Sequence, residues 1–262
     1  MNVIDANVIV HTAMAAEYHK EPHFSVENRA KIRSIIEPWK GGKMLDLGCG
    51  TGFMLDLAHD LFDEVHGVDV TQAMLDRVTP RPNLTLHQCS AEKTPFPSGT
   101  FDLVTAYSFI HHLANYKPVL REARRVLKDG GRFYIDLEPN AQYWSVMKSL
   151  EGSDGLSPIV AREVHSVCKR DAEVAAQFGL DPGVFDTAEF LKARGGIEAD
   201  ELVSAAQEAG FSSGSVEHHW FLGQGRVTTA WGEDAQHVCG WLNNLGQMGG
   251  MFFKYLRFEL IA

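Results

Sequence analysis

The stretch that decides the fold reads Met44-Leu45-Asp46-Leu47-Gly48-Cys49-Gly50-Thr51-Gly52. An apolar run enters it, glycine occupies alternate positions across it, and residues 53–58 leave it with helical character. This order predicts a strand, a tight turn and a helix whose first N–H groups are free. Because glycine lacks a Cβ, ligand atoms can approach the main chain here. Asp46 places a carboxylate beside that approach, which disfavours a phosphate and suits a cationic or hydroxyl-rich ligand.

This stretch resembles the nucleotide-binding loop of the class I S-adenosylmethionine-dependent methyltransferases. The resemblance rests on Asp46 to Gly52 and on matching elements up to about Ile135. It implies an α/β fold with a Rossmann-like, seven-stranded, mostly parallel sheet and an antiparallel last strand. Helices on both faces and a helical insertion acting as a lid are also implied. The cofactor that the resemblance implies is S-adenosyl-L-methionine.

Two other interpretations of the loop stay open. The dinucleotide-binding fold shares the strand-turn-helix plan, but its G-x-G-x-x-G pattern needs glycine where this chain has Phe53. A glycine-rich turn can also be only a turn. The bulk of Phe53 and the acid at Asp46 favour an adenosyl sulfonium over a nicotinamide dinucleotide.

Composition limits the partners of the chain. It has 262 residues and a formal net charge of −10, which fits one α/β domain with insertions or one domain with a small cap. The negative charge argues against a nucleic-acid substrate and an anionic membrane surface, because both need a basic face. The four cysteines are dispersed, which predicts free thiols in a reducing compartment and no metal site. Residues 1–16 lack the basic lead of a signal peptide, so we expect a cytoplasmic protein that acts on a small molecule.

An acid closes the second predicted strand, Glu64 to Asp69. A carboxylate about twenty residues beyond a glycine loop can accept both hydroxyls of a ribose, and Asp69 matches that acid in the resembled family. The alternative is that Asp69 only caps the helix that Thr71 and Gln72 open. The spacing favours the ribose.

The third predicted strand, Leu84 to His87, leads into a loop that lies against adenine in the resembled family. An acid or amide there often receives the adenine amino group, but this chain has Ser90, a weaker acceptor. Glu92, or the backbone beside the small Ala91, are the alternatives. The residues expected to bind the cofactor are Asp46, Gly48, Cys49, Gly50, Gly52, Asp69, Val70, Ser90, Ala91, Glu92 and Tyr107.

The fourth predicted strand, Phe101 to Tyr107, is almost continuously apolar, as a central parallel strand should be. Its carboxyl end, where ligands of open α/β sheets bind, delivers the pair His111-His112. This segment resembles small-molecule methyltransferases typified by the quinone-biosynthesis enzymes. Histidine titrates near neutral pH, so His111 or His112 is a candidate general base, unless it only packs or hydrogen-bonds structurally. Tyr18 is a third catalytic candidate, or a surface aromatic, in a segment that often closes over the cofactor in the resembled family.

The chain divides into four expected parts. These are an N-terminal helical segment (1–40), a cofactor-binding core (41–140), a helical lid insertion (141–196) and the completion of the core sheet (197–262). The start, 3–10, is compatible with a short strand or with the side of a helix. The final run, 251–261, is expected to be the antiparallel edge strand of the resembled family, and Trp231 before it is a candidate to reach the substrate.

The insertion is too long for a simple connection. We expect helices over 142–150, 158–178 and 187–193. If they form a lid that excludes water, their aromatic and apolar residues line the substrate; otherwise these residues are only the core of a helical appendage. The candidates are Tyr143, Trp144, Met147, His165, Phe178 and Phe185.

The predicted reaction is attack by an O, N, S or C nucleophile of a small molecule on the methyl carbon of S-adenosylmethionine. The sulfonium is already activated, so the protein chiefly aligns donor and acceptor and keeps water out. That chemistry needs neither a nucleophile triad nor a metal cluster. A different class of function stays open, because an S-adenosylmethionine-binding protein that does not methylate, used for regulation or cyclisation, would keep the same binding motifs.

Overall fold

A seven-stranded sheet organises the molecule. The computed structural model describes residues 1–20, 25–224 and 234–262. The strand order is β3-β2-β1-β4-β5-β7-β6. The strands are β1 (Lys43–Leu47), β2 (Glu64–Asp69), β3 (Leu84–Gln88), β4 (Phe101–Tyr107), β5 (Leu127–Pro139), β6 (Ser213–Phe221) and β7 (Phe253–Ile261). The Rossmann-like fold predicted from the sequence is confirmed.

The first five strands run parallel, and β7 is antiparallel to both of its neighbours. The prediction that the last strand is antiparallel is confirmed, but its placement at the edge is wrong. β7 lies between β5 and β6, and β6 forms the edge. Pairing on both sides explains the burial of Phe253, Leu256, Phe258 and Leu260, because an edge strand would leave part of this run in solvent.

Eleven helices are labelled in chain order, and a further helix, Asp234–Asn243, precedes β7. They are α1 (Val3–Met14), α2 (Val26–Ile36), α3 (Phe53–Ala58), α4 (Gln72–Leu75), α5 (Lys117–Val126), α6 (Ala141–Ser149), α7 (Pro158–Cys168), α8 (Arg170–Gln177), α9 (Pro182–Ala188), α10 (Phe190–Ala193) and α11 (Ala199–Glu208). None within the described ranges combines the length and apolar character that crossing a membrane needs.

Helices cover both faces of the sheet, as predicted. Leu45 and Leu47 of β1 share one apolar cluster with α5 and α11, whereas Met44 shares another with α2 and α3. Successive side chains of a strand point to opposite faces, so β1 alone contributes to both clusters. The carboxyl ends of the parallel strands, left free by these helices, therefore meet at one edge of the sheet.

The insertion after β5 differs in detail from the prediction. The helix expected over 158–178 is two helices, α7 and α8, separated at Lys169, and the helix expected over 187–193 is replaced by α9 and α10. α9 begins where a break was expected, because Asp181 caps it and Pro182 occupies its first turn. The expected start of a helix near Gln142 is close to that of α6.

The N-terminal segment is a helix rather than a strand. Asn2 accepts a hydrogen bond from the N–H of Asp5 and so caps α1. Ala6, Val10 and Met14 are buried in a cluster with α8 and α9. α1 therefore packs on the insertion, and the two together close one side of the sheet's carboxyl edge.

Candidate active site

One cavity of about 560 Å³ opens at the carboxyl ends of β1, β2 and β4. Its walls come from the glycine loop after β1, from the ends of β2 and β4, from α1 and from the segment around α10. Most of the predicted site residues line it. They are Tyr18, Asp46, Gly48, Cys49, Gly50, Asp69, Val70, Ser90, Ala91, Glu92, Tyr107 and His112.

The glycine loop reaches the cavity through backbone conformations that other residues rarely adopt. Gly48 and Gly50 have φ of 68° and 50°. A Cβ at Gly48 would lie 2.1 Å from a ring carbon of Phe109, so the loop and the β4 end could not pack with any larger residue there. The N–H of Cys49 donates to the Val68 carbonyl at 3.0 Å, which ties the loop to β2.

Gly52 does not line the cavity, unlike its predicted role. It is the N-cap residue of α3 with φ of 94°, and a Cβ there would meet Val78 at 3.1 Å. Gly52 is thus a turn residue behind the loop. Phe53 follows it and lines the cavity with its ring 4.6 Å from that of Tyr107, so the residue that replaces the third dinucleotide glycine occupies the wall itself.

Asp69 braces the loop and faces the cavity. Its carboxylate accepts the N–H of Gly50 at 2.9 Å and the N–H of Thr71 at 2.8 Å. Each oxygen keeps a further lone pair. The bond to Thr71 closes the turn before α4, but Thr71 itself is the N-cap residue of that helix and no side chain caps it. Asp69 is therefore not the helix cap of the alternative interpretation, and it still presents acceptor capacity to a ligand.

Asp46 is a buried acid in the cavity wall. Thr105 donates to its Oδ1 at 2.6 Å, and its exposed fraction is 2%. Burial raises the pKa of Asp46 to about 7, against the hydrogen bond from Thr105, and the Asp69 charge adds to the rise. A cationic group in the cavity would stabilise the charged form of this acid.

Thr51 adds an orphaned polar atom to the same wall. Its Oγ1 is buried and has no hydrogen-bond partner among the described residues, while the residue lines the cavity. A buried hydroxyl normally finds a partner. A polar ligand group at the loop would satisfy it, which fits a small molecule held against the glycine turn.

The two adjacent histidines separate into different roles. His111 does not line the cavity. Its Nδ1 lies 2.8 Å from Glu138 Oε2, and Glu138 also accepts the N–H groups of Phe109, Ile110 and His111. Burial opposes a charge on His111, but the Glu138 carboxylate outweighs it and raises the pKa of the ring. The ion pair between His111 and Glu138 therefore favours the charged form of this ring and fixes the turn after β4.

His112 lines the cavity and is held from behind. Its Nδ1 lies 3.0 Å from the carbonyl of Ala188. Burial, together with the charge of His111, lowers the pKa of His112 well below its ordinary value. His112 is thus a neutral imidazole at physiological pH, and Nε2 is its remaining ring nitrogen.

His111, His112 and Glu189 bring ligand-type atoms together. His111 Nε2 lies 3.6 Å from Glu189 Oε2. Lys192 already neutralises Glu189 at 2.8 Å and also bonds Asp171 at 2.8 Å. We interpret the group as an ionic network that connects α8 and α10 to the end of β4, because the Lys192 ammonium already pairs with the Glu189 carboxylate that a metal ion would need.

None of the six lid candidates lines the cavity. Tyr143, Trp144 and Met147 pack with Val164 in a core of the insertion. Phe178 and Phe185 pack with α1, and the solvent-exposed His165 pairs with Glu173. The helical-appendage alternative describes these residues, and the insertion reaches the cavity instead through Thr187, Phe190 and Arg194. Trp231 lies outside the described residues.

Sequence reasoning missed the contribution of α1. Asn7 and His11 line the cavity. His11 Nδ1 lies 3.0 Å from the Asn7 carbonyl, and its ring centroid is 5.0 Å from that of His112. The polar residues of α1 would have been a signal had the segment been recognised as a helix, because Asn7 and His11 are four positions apart and share a face.

The methyltransferase-domain family model matches residues 45–135. Over 116 residues the chain is 35% identical to a demethylmenaquinone methyltransferase of Lysinibacillus sphaericus, covering 42% of this chain and 49% of that protein. Over 178 residues it is 24% identical to 27-O-demethylrifamycin SV methyltransferase of Amycolatopsis mediterranei, covering 62% and 65%. The chain thus spans less than two thirds of either curated relative.

A solved structure supports the fold over nearly the whole chain. An S-adenosylmethionine-dependent methyltransferase from Mesorhizobium loti superposes with a TM-score of 0.56 at 20% identity. The superposition covers 91% of this chain and 98% of that one. At this identity the likeness concerns the fold alone. It extends the match beyond residue 135 to the insertion and the last strands.

Proposed function

We propose that this chain, whose residues 45–135 are a methyltransferase domain of the class I S-adenosylmethionine-dependent family, transfers a methyl group from S-adenosylmethionine to a small molecule. The acceptor atom is an O, N, S or C nucleophile. The observation that carries the proposal is that Asp69, Asp46 and the glycine loop face one cavity of about 560 Å³. A site of that size suits a nucleoside-sized ligand with room for part of an acceptor.

Within this proposal, each wall of the cavity has a partner on the cofactor. Asp69 accepts the ribose hydroxyls. Gly48, Cys49 and Gly50 pack against the methionine part, near the acid of Asp46, whose charge complements a sulfonium or an ammonium. The adenine side consists of Val70, Ser90, Ala91 and Glu92, with Tyr107 at the other edge.

The proposed mechanism relies on the alignment of methyl donor and acceptor and on the exclusion of water. S-adenosylmethionine, when bound, supplies a methyl group already activated on a sulfonium. The walls hold the acceptor in line with that group and exclude water. Where the acceptor is a hydroxyl, the O–CH₃ bond forms as the S–CH₃ bond breaks, the electron pair stays on sulfur, and the proton passes to Nε2 of His112.

Of the three catalytic candidates, we propose His112 as the base. It is a neutral ring in the cavity wall, whereas the ring of His111 is engaged by Glu138 outside that wall. His111 is then a positioning residue. Tyr18 also lines the cavity, and we propose that it closes over the bound substrates rather than accepting the proton, because a phenol is a poor base near neutral pH.

The test begins with binding. We expect calorimetry to show heat for S-adenosylmethionine and S-adenosylhomocysteine, and none for NAD. A response to NAD alone would refute the proposal.

Incubation with methyl-labelled S-adenosylmethionine and a panel of small quinols, phenols, amines and thiols then separates the two classes of function. Label transfer supports an enzyme. Binding without transfer to any member of the panel supports the non-methylating alternative, which no contact in the described cavity favours.

The remaining parts of the proposal concern setting. We propose a cytoplasmic protein without a nucleic-acid substrate, supported by the net charge of −10 and by cysteines that are free among the described residues. We also propose the division into an N-terminal helical segment (1–40), a cofactor-binding core (41–140), a helical lid insertion (141–196) and the completion of the core sheet (197–262). The names of the curated relatives, a demethylmenaquinone and a demethylrifamycin methyltransferase, support a partly apolar acceptor.

A further inference from the structure

Two histidines from distant parts of the chain meet on the cavity wall. His11 belongs to α1 and His112 to the turn after β4, and both line the cavity. Their ring centroids are 5.0 Å apart and the rings are inclined by 79°. Nothing in the proposed methyl transfer requires a second histidine at this place, so the pair calls for its own explanation.

The hydrogen bonds of the pair fix where each ring carries its proton. His11 Nδ1 lies 3.0 Å from the Asn7 carbonyl, and His112 Nδ1 lies 3.0 Å from the Ala188 carbonyl. A carbonyl oxygen can only accept, so each Nδ1 must carry the hydrogen. When such a ring is neutral, its other nitrogen, Nε2, is a pure acceptor, and both residues line the cavity.

The framework around the pair keeps these orientations. The side-chain amide of Asn7 donates to the carbonyls of His112 and Ala188, each at 3.4 Å, and to the carbonyl of Val3 at 2.9 Å. Asn7 therefore joins α1, the turn after β4 and the end of α9 at one point. His112 is neutral because burial and the nearby His111 charge lower its pKa.

We infer that His11 and His112 form a two-acceptor wall that selects a methyl acceptor with two neighbouring O–H or N–H donors. The inference rests on the proposed function and narrows its substrate class. A vicinal diol or an ortho-dihydroxy ring satisfies both nitrogens. A carbonyl or an ether at the same place would face a lone pair and leave a desolvated acceptor unpaired, which is costly.

The experiment measures binding, because the natural acceptor is unidentified. Catechol, phenol and anisole carry two, one and no hydroxyl donors on the same ring. Each is titrated into the protein by ligand-observed NMR, with and without saturating S-adenosylhomocysteine. We expect catechol to bind at least about tenfold more tightly than phenol, because phenol leaves one of the two histidine acceptors without a hydrogen bond. Anisole, which has no donor, should bind weakest.

Variants assign the preference to the pair. His11→Phe keeps a ring of similar shape without an acceptor, and we expect it to reduce the ratio of catechol to phenol affinity to near unity. His112→Phe should do the same; if burial makes it unstable, His11→Phe alone decides. His165→Phe, in the solvent-exposed part of α7, is the matched control and should keep the preference.

Three results would overturn the inference: equal affinities across the series, no catechol binding, or an unchanged ratio in His11→Phe. Its failure is distinguishable from failure of the proposed function. If S-adenosylhomocysteine does not bind, the methyl-transfer proposal falls, while the titrations on the free protein still decide what the histidine pair recognises.

Discussion

Replacing Asp46 with Asn should make the protein more stable at neutral and alkaline pH. Asp46 is buried in β1, where burial raises its pKa to about 7. Ionising it therefore costs free energy in the folded state. Asn keeps the shape and can still accept the hydrogen bond that Thr105 donates at 2.6 Å, but it carries no charge.

The size of the effect follows from linkage. The folded pKa lies above the ordinary value of 3.8, so between these values the folded state binds more protons than the unfolded state. The free energy of unfolding therefore falls as pH rises through that window, by up to about 1.4 kcal/mol per pH unit. Over about three units the cost reaches roughly 4 kcal/mol, present above pH 7 and absent below pH 4.

The assay is urea unfolding of the wild type and of Asp46→Asn without ligand, from about pH 5 to about pH 8.5. We expect the variant's advantage to grow with pH and then level off above about pH 7. Asp102→Asn is the control, because hydrogen bonds from Lys128 and from the N–H of Lys43 outweigh burial there and lower the pKa of that acid. Its difference from the wild type should be flat over the same range.

Asp46→Asn should weaken cofactor binding although it raises the stability of the fold. If the charge of Asp46 complements the sulfonium, Asp46→Asn binds S-adenosylmethionine more weakly and loses the rise in affinity with pH that the wild type shows. The acid would then be retained for the ligand at a cost in stability. The reasoning is refuted if the variant is no more stable than the wild type at about pH 8, or if the two stability profiles run parallel.

Three further substitutions test other parts of the site. Gly48→Ala should abolish binding of S-adenosylhomocysteine and lower the melting temperature, since the alanine Cβ would lie 2.1 Å from the Phe109 ring. Gly99→Ala is the control: Gly99 has φ of 64° and open space around it, so the change should lower the free energy of unfolding by only about 1–2 kcal/mol. Equal shifts in melting temperature for the two variants would contradict this prediction. Asp69→Ala should weaken the binding of S-adenosylhomocysteine by at least about a hundredfold in calorimetry, because the charged hydrogen bonds to the two ribose hydroxyls contribute about 1.5–3 kcal/mol each. A loss of only a few-fold would exclude the ribose role. Glu138→Gln should lower the pKa of the His111 ring in an NMR titration. It should also remove the part of the free energy of unfolding that the wild type loses as pH rises through the pKa of His111 in the folded state. An unchanged His111 titration would count against the ion pair.

The strands of the core were predictable because their information is local. β2 and β4 have the predicted bounds. β4 is the clearest case, since a strand buried on both faces of a parallel sheet appears as an almost continuous apolar run. The glycine loop and Asp69 were found by the same kind of signal. A turn with positive φ and an acid at a strand end each depend on only a few adjacent residues.

The insertion was harder because its signals are ambiguous. Tyr143, Trp144 and Met147 have the helical spacing of a buried face within α6, and Phe185 is a buried aromatic residue of α9. Such residues can serve a core or a ligand wall. The structure places them in cores. The position of β7 failed for a related reason: its pattern predicts a strand, but its neighbours in the sheet are chosen by packing.

By itself the sequence determined the backbone state of the core, the glycine turn, the acid at the end of β2 and the burial of the central strands. Only the tertiary structure decided which of two adjacent histidines faces the cavity. Glu138 raises the pKa of His111. Burial and the neighbouring His111 lower the pKa of His112, whose Nδ1 faces the Ala188 carbonyl and whose ring lies beside His11. These partners are far apart in the chain, and a side chain's charge and proton position depend on the groups that packing brings to it, which no local pattern records.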